Sequence, residues 1–249
     1  MKVENIWRKS MNIFKSELLK FKKKGMYMLG ILAPIPAVVM GINISKRFEG
    51  SLGDVSMLQS IFSNAFFMYV GMLLPILILY TVITTSKVES ETNGLRNMLL
   101  MPIKRSKLFL SKYAMLMSVT IVSLLSFAIE VIIGNALVSN SLQVDFEIFE
   151  SILFIFLGVL PFLSIVYFIA TKFKSMVVPL VAGMLMVLST IIIAQSDFWI
   201  VAPWTYPLVI GMGALESIGE LLKIELLSLC IFAAIFAIDL KIFTNKDFI

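Results

Sequence analysis

The sequence predicts an all-α membrane protein with six transmembrane helices, and three observations lead there. Hydrophobic residues make up 59% of the chain and charged residues 15%, with a mean hydropathy of +0.96. An ordinary globular domain carries ~25% charged residues. Apolar stretches recur along the chain, each near the ~20 residues that cross a ~30 Å hydrocarbon core at ~1.5 Å per residue. Lysine and arginine collect in alternate connections, as they do in loops that face the cytoplasm. The 249 residues hold six such spans and their loops as a single transmembrane domain, 1–249.

Residues 1–24 are basic, with Lys2, Arg8, Lys9, Lys15, Lys20, Lys22, Lys23 and Lys24. Trp7, Met11, Phe14, Leu18 and Phe21 recur at steps of four and three, which makes one narrow apolar stripe on a helix. That pattern predicts an amphipathic interfacial helix; the alternative is a plain basic flank that sets topology. The basic region is too long for a signal peptide, and no A-x-A cleavage site follows it.

The first span is expected at 26–44, interrupted by Pro34 and Pro36. Prolines are tolerated in membrane helices when neighbours satisfy the freed carbonyls. Residues 45–64 read as a mixed polar loop with Gly50 and Gly53, and 65–85 as the second span, with Pro75 inside it. A long polar break, 86–112, precedes the third span at 113–138. An acidic loop at 139–150 carries Asp145, Glu147 and Glu150. Spans four and five follow at 151–171 and 176–195, joined by the Lys-Phe-Lys turn 172–174. The last span is 223–243. Residues 198–215 are apolar, but Pro203, Pro207, Gly211 and Gly213 oppose a continuous helix. This stretch is expected to be re-entrant or interfacial on the outer face.

The N-terminus, the central break, the 172–174 turn and the tail alternate onto one side. They carry all of the 21 lysines and arginines except Lys46, Arg47 and Lys223. The expectation is a multi-pass protein of the bacterial plasma membrane with both termini cytoplasmic. The net charge of +5 is explained by that face, so no nucleic acid partner is expected. No internal repeat supports an inverted-repeat transporter.

Inside the central break sits a candidate helix of about two turns. Thr92 or Asn93 can cap it. Leu95, Met98 and Leu99 share one face, and Pro102 marks where the chain stops and restarts. So short a helix is not stable alone in water, which predicts a soluble partner that drives the membrane segments. Arg96, Glu89 and Glu91 would lie at the rim of that contact; for the two acids the alternative is a solvated helix end.

Several chemistries are missing. No G-x-x-x-x-G-K-[ST] phosphate loop is present, so ATP hydrolysis is not expected in this chain. With no histidine there is no H-E-x-x-H, and with one cysteine, Cys230, no intrachain disulfide. No catalytic residue, metal site or cofactor site is assigned. Glu130 is the one acid well inside a predicted span. It admits two readings: a functional intramembrane acid, or a side chain close enough to the outer boundary to reach the headgroups. Glu225 and Asp239 read as markers of the borders of the last span. The sixteen methionines read as gap-filling core residues.

Three stretches together resemble the permease subunits of ABC-2-type transporters, and more narrowly the lantibiotic-immunity permeases. Residues 16–22, SELLKFK, resemble the family's E-L-x-K-x-K helix. Residues 95–107, LRNMLLMPIKRSK, resemble its L-x-x-L-L-x-x-P-[IV]-x-R-x-K pattern, with Met101 where a small polar residue or Leu is usual. Pro203, Trp204, Thr205, Tyr206 and Pro207 are similar to the P-W-[ST]-Y-P motif of the immunity permeases. The resemblance implies a type V exporter-like fold and a cytoplasmic coupling helix in the central break. It implies a dimer of ATPase chains holding ATP and Mg, and a second permease subunit, homologous or identical. It further implies that an amphipathic antimicrobial peptide is expelled from the membrane lipid, for self-protection. The alternatives are export of another hydrophobic antibiotic such as bacitracin, or of a lipid, and a sensor or assembly subunit that transports nothing. An intramembrane enzyme would need paired polar residues at one depth.

Overall fold

The computed structural model describes residues 25–48, 56–91, 105–173, 175–212 and 217–245, with backbone alone for 87–91. The expected interfacial helix 1–24 and the short helix of the central break lie outside these residues. Six segments among the described residues are long and apolar enough to cross a membrane, and no strand occurs among them. The first is split into α1 (Met26–Leu32) and α2 (Ile35–Arg47). The second is α3 (Met57–Met68), a π turn (Tyr69–Leu73) and α4 (Leu74–Glu91). Then come α5 (Arg105–Ser139), α6 (Phe146–Lys172) and α7 (Val177–Ala194). Two 3-10 turns, Asp197–Val201 and Pro203–Thr205, lead into the short helix α8 (Tyr206–Gly211). The final span is α9 (Ile218–Asn245).

Prolines set the shape of these helices, because each removes a backbone donor that water cannot replace in hydrocarbon. Pro34 and Pro36 divide α1 from α2. There the Ser126 hydroxyl of α5 donates to the Ile31 carbonyl at 3.1 Å. Ahead of Pro75 the ladder widens, so that the Leu74 N–H reaches the Tyr69 carbonyl five residues back. A π turn is the local adjustment that absorbs such a missing bond. Pro161 lies inside α6 and leaves the Leu157 carbonyl without its helical donor. Ser228 of α9 supplies one, its Oγ donating to Leu157 O at 2.8 Å. Pro179 sits in the first turn of α7, where its missing N–H costs little.

The α1–α2 break lets one span serve two neighbours. α1 packs on α5, while α2 packs on α3 and α5. Tyr27 of α1 is hydrogen-bonded to Ser118 at 2.8 Å. Gly41 brings α2 against α3: a Cβ there would lie 2.8 Å from the Ile61 carbonyl and 2.9 Å from the Ala65 Cβ. The core runs between α3, α4, α5 and α6, with the Tyr69 ring stacked on Phe127 at 4.5 Å. The Tyr69 hydroxyl is bonded to Ser123 at 2.7 Å. α9 lies along α6 and shows Leu222, Leu226 and Leu229 on its outer side.

The helices exceed the expected spans at several ends. Residues 57–64, expected in a loop, form α3. Ser56 caps it, its Oγ accepting from the Gln59 N–H at 3.2 Å, and Leu58 and Ile61 are buried. Three of the polar residues that suggested a loop satisfy one another between α2 and α3: the Ser60 hydroxyl donates to Ser45 Oγ at 2.9 Å, and the Asn64 amide to the Ser60 carbonyl at 2.9 Å. Residues 105–112 belong to α5. Residues 146–150 open α6 behind the cap of Asp145, which accepts from the Glu147 N–H at 3.0 Å.

Ser228→Ala should lower the stability of the folded chain by ~0.5–2 kcal/mol, since a carbonyl loses its only cross-helix donor. Pro161→Ala restores the helical N–H. In a double-mutant cycle of unfolding in mild detergent, Ser228→Ala should therefore cost much less in the Pro161→Ala background than in the wild type.

Candidate functional site: the basic end and the re-entrant segment

Two regions carry polar chemistry. The first is the end of the bundle where α4 stops, α5 starts, and α6 and α9 finish. α4 continues as helix to Glu91, so Glu89 and Glu91 belong to its last turn rather than to a separate loop. Leu95, Arg96, Met98 and Leu99 lie outside the described residues. The chain returns at Arg105, whose Nη1 donates to the Thr244 carbonyl of α9 at 3.1 Å. Two turns on, Lys112 is 1% exposed, with its Nζ 5.4 Å from the centre of the Phe243 ring. Asp239, also 1% exposed, accepts from the Thr171 hydroxyl of α6 at 3.0 Å. Phe109, Tyr113, Tyr167 and Phe236 pack edge-to-face and tilted among these groups, with centroids 4.7 to 5.9 Å apart. The helix leaving the central break is thus tied by polar and ring contacts to α6 and α9.

The sequence reading missed this cluster. Asp239, near the end of α9, faces into the bundle, because Phe236, Asp239 and Phe243 share the face of α9 that meets α5 and α6. Glu225 likewise faces inward, 5% exposed, with neither carboxylate oxygen hydrogen-bonded. The spacing of aromatic residues around Asp239 was the available signal.

The second region is the re-entrant segment. Pro203, Trp204, Tyr206 and Pro207 lie in the second 3-10 turn and the start of α8. Its backbone descends beside the middle of α6. A Cβ at Gly158 would meet Ile210 Cδ1 at 2.9 Å and the Pro207 backbone at 3.3 Å. A side chain there fits only if Ile210 turns aside and adds nothing beyond Cβ against the Pro207 backbone. Leu208 reaches the π turn at Gly71 while Gly211 abuts the Phe66 ring, so α8 starts beside the middle of the second span and runs back toward its α3 end. Non-helical backbone at that depth must be covered by protein, and it is: Tyr206, Pro207, Leu208 and Val209 are buried. Its own side chains complete the bonding. Thr205 Oγ1 donates to Ala202 O at 2.8 Å, Tyr206 OH to Ile200 O at 2.6 Å, and Trp204 Nε1 to Ser189 Oγ at 3.2 Å.

Glu130 lies on α5, half-buried, with Oε1 accepting from the Ser126 hydroxyl at 2.8 Å. No group of three or more His, Cys, Asp or Glu side chains with metal-ligand geometry occurs among the described residues.

Residues 13–192 match the family described as ABC-2 family transporter protein, and that stretch is well over half of the chain. The chain belongs to the ABC-2 transporter family. No curated protein and no solved structure matches it. Family membership makes this chain a membrane permease and implies an ATPase partner within an ABC transporter. In the permease, the basic end joins the central break to α5, α6 and α9, and the re-entrant segment fills the opposite half of the bundle.

Gly158→Ala should be tolerated once Ile210 turns aside. Gly158→Val adds branched carbons against the Pro207 backbone and should cost ~1–3 kcal/mol by overpacking. In a Cys230→Ser background, Leu208→Cys should resist a water-soluble maleimide. The same cysteine should become reactive when Gly158→Val is added.

Proposed function

We propose that this permease expels an amphipathic, lantibiotic-like antimicrobial peptide from the membrane, giving self-protection, and that the ATP and Mg chemistry resides on a separate dimer of cytoplasmic ATPase chains. A second permease subunit, homologous or identical, completes the pathway in the plasma membrane, and both termini of each permease are cytoplasmic. The observation that carries the peptide reading is the P-W-T-Y-P segment, folded as a protein-covered re-entrant element inside one half of the bundle. The rim of that half supports a cationic cargo. Its expected loops and span ends hold Glu49, Asp54, Asp145, Glu147, Glu150, Asp197, Glu216 and Glu220 against Lys46, Arg47 and Lys223, eight acids to three bases. An acidic rim concentrates cations near the surface, an effect screened by salt.

The drive enters through the central break. Leu95, Met98 and Leu99 would seat in a groove of the ATPase, each contributing ~1.5–3 kcal/mol when fully buried. Arg96, Glu89 and Glu91 would lie at the rim, where single charge pairs contribute ~0–1 kcal/mol.

Leu95→Asp/Leu99→Asp places two unpaired carboxylates in that groove, and their desolvation outweighs any rim effect. The variant should insert at wild-type levels, fail to pull down the ATPase and lose all transport, while Arg96→Ala weakens the complex by about fivefold at most, the equivalent of ~1 kcal/mol. Unchanged pull-down and unchanged substrate-stimulated turnover in the double variant would move the contact elsewhere. Separately, neutralising Asp145, Glu147 and Glu150 together should reduce resistance to cationic peptides at low salt and have little effect at high salt. Equal resistance at both salt levels would remove the rim from the transport path.

A further inference from the structure

Among the described residues, no counter-charge faces Glu130. Helix α1 carries no charged residue, and its Tyr27 is bonded to Ser118. The charges of α2, Lys46 and Arg47, sit exposed in its last turn. Neither α3 nor the π turn carries any charge, and Tyr69 is bonded to Ser123. The described side chains of α4 are uncharged. On α5 the next charged residue before Glu130 is Lys112, about five turns away along the helix. The acids of the first turns of α6, Glu147 and Glu150, are exposed at the bundle end. Lys172, in the last turn of α6, lies at the opposite end of the bundle. Glu225 and Asp239 of α9 face α6.

The carboxyl is linked through one hydroxyl to a backbone carbonyl. Ser126 Oγ lies 2.8 Å from Glu130 Oε1 and 3.1 Å from the Ile31 carbonyl. Glu130 Oε2 is buried without a hydrogen-bond partner. The Ile31 carbonyl belongs to the last turn of α1, where a helix end carries about half a negative charge. Pro34 and Pro36 lack the N–H groups that would occupy the neighbouring Gly30 and Leu32 carbonyls. A carboxyl and an open carbonyl end thus share one hydroxyl proton, from Ser126, which leaves the three oxygens one donor short and suits them to a cation.

We propose that Glu130, Ser126 and the Ile31 carbonyl form a binding site for one small cation, sodium or a proton, at the break between α1 and α2. Sodium would take the carboxylate, the hydroxyl and the broken-helix carbonyls as hard oxygen ligands, as unwound helix ends in membranes do. A single carboxylate suits a monovalent ion better than Ca²⁺, which gathers six to eight oxygens. A proton completes the same chain differently: the Glu130 O–H donates to Ser126 Oγ, and the Ser126 O–H donates to the Ile31 carbonyl. Either occupant adds to the contacts that already tie the kinked first span to α5. Nothing in this inference depends on which molecule the permease moves.

The test uses the full chain in lipid nanodiscs, with sodium chloride against choline chloride at equal ionic strength, and infrared spectra at neutral pH. A sodium site raises the Tm of the wild type by a few degrees in sodium alone, and Glu130→Gln abolishes the rise. A proton site gives a protonated-carboxyl band that is missing in Glu130→Gln and shifts in Ser126→Ala, as its hydrogen bond is lost. Should Glu130→Gln not fold, the sodium shift in the wild type and the Ser126→Ala band shift still decide. Absence of both the sodium shift and a Glu130 carboxyl band would overturn the site.

Discussion

A backbone carbonyl inside hydrocarbon has no water to turn to, and this constraint organises the whole structure. Each proline inside a span withdraws a donor, and the fold answers each withdrawal with a different device. At Pro161 the donor comes from Ser228 on the neighbouring span. At Pro75 the helix changes register through a π turn. At Pro34 and Pro36 the helix breaks, and Ser126 reaches the exposed turn from α5. These answers are also the contacts that orient the spans. Ser228 fixes the height of α9 on α6, and Ser126 fixes α1 on α5.

The re-entrant segment extends the same logic to backbone that is not helical in the long-range sense. Its prolines keep it from becoming a seventh span, and its side chains return hydrogen bonds to the carbonyls that the short turns leave open. Trp204 and Tyr206 act as polar pegs as well as apolar bulk. Gly158 supplies the space on α6 that lets α8 start at mid-depth. At the other end of the bundle, the buried Lys112 and Asp239 lie among rings, which keep the end of α9 in register with the start of α5.

Much of this was legible in the residues. Hydropathy located six spans, and the prolines marked each irregular place. The start of α3 was not legible, because Ser45, Ser60 and Asn64 look like loop residues until they are seen to pair with one another across α2 and α3. The burial of Asp239 and Glu225 was not legible for a related reason. A charge near the end of an apolar run ordinarily marks a boundary, and burial depends on partners contributed by other spans. The prolines of P-W-T-Y-P were legible as a break in an apolar run, but the burial of the segment against α6 was not. Glu130 was legible as an unusual acid, while the carbonyl that Ser126 links to it, at a break about a hundred residues earlier in the chain, was not.

The central claim is that six crossings bring the chain back to the side from which it started, with residues 197–212 entering the bundle and leaving on one side. Single cysteines at Ser141, Ser175 and Asn245 in a Cys230→Ser background, probed with an impermeant maleimide, test it directly. On intact cells the account predicts labelling at Ser141 alone, with Ser175 and Asn245 reacting only after permeabilisation. Labelling of Asn245 on intact cells, with Ser175 still protected, would make 197–212 a full crossing and contradict the account.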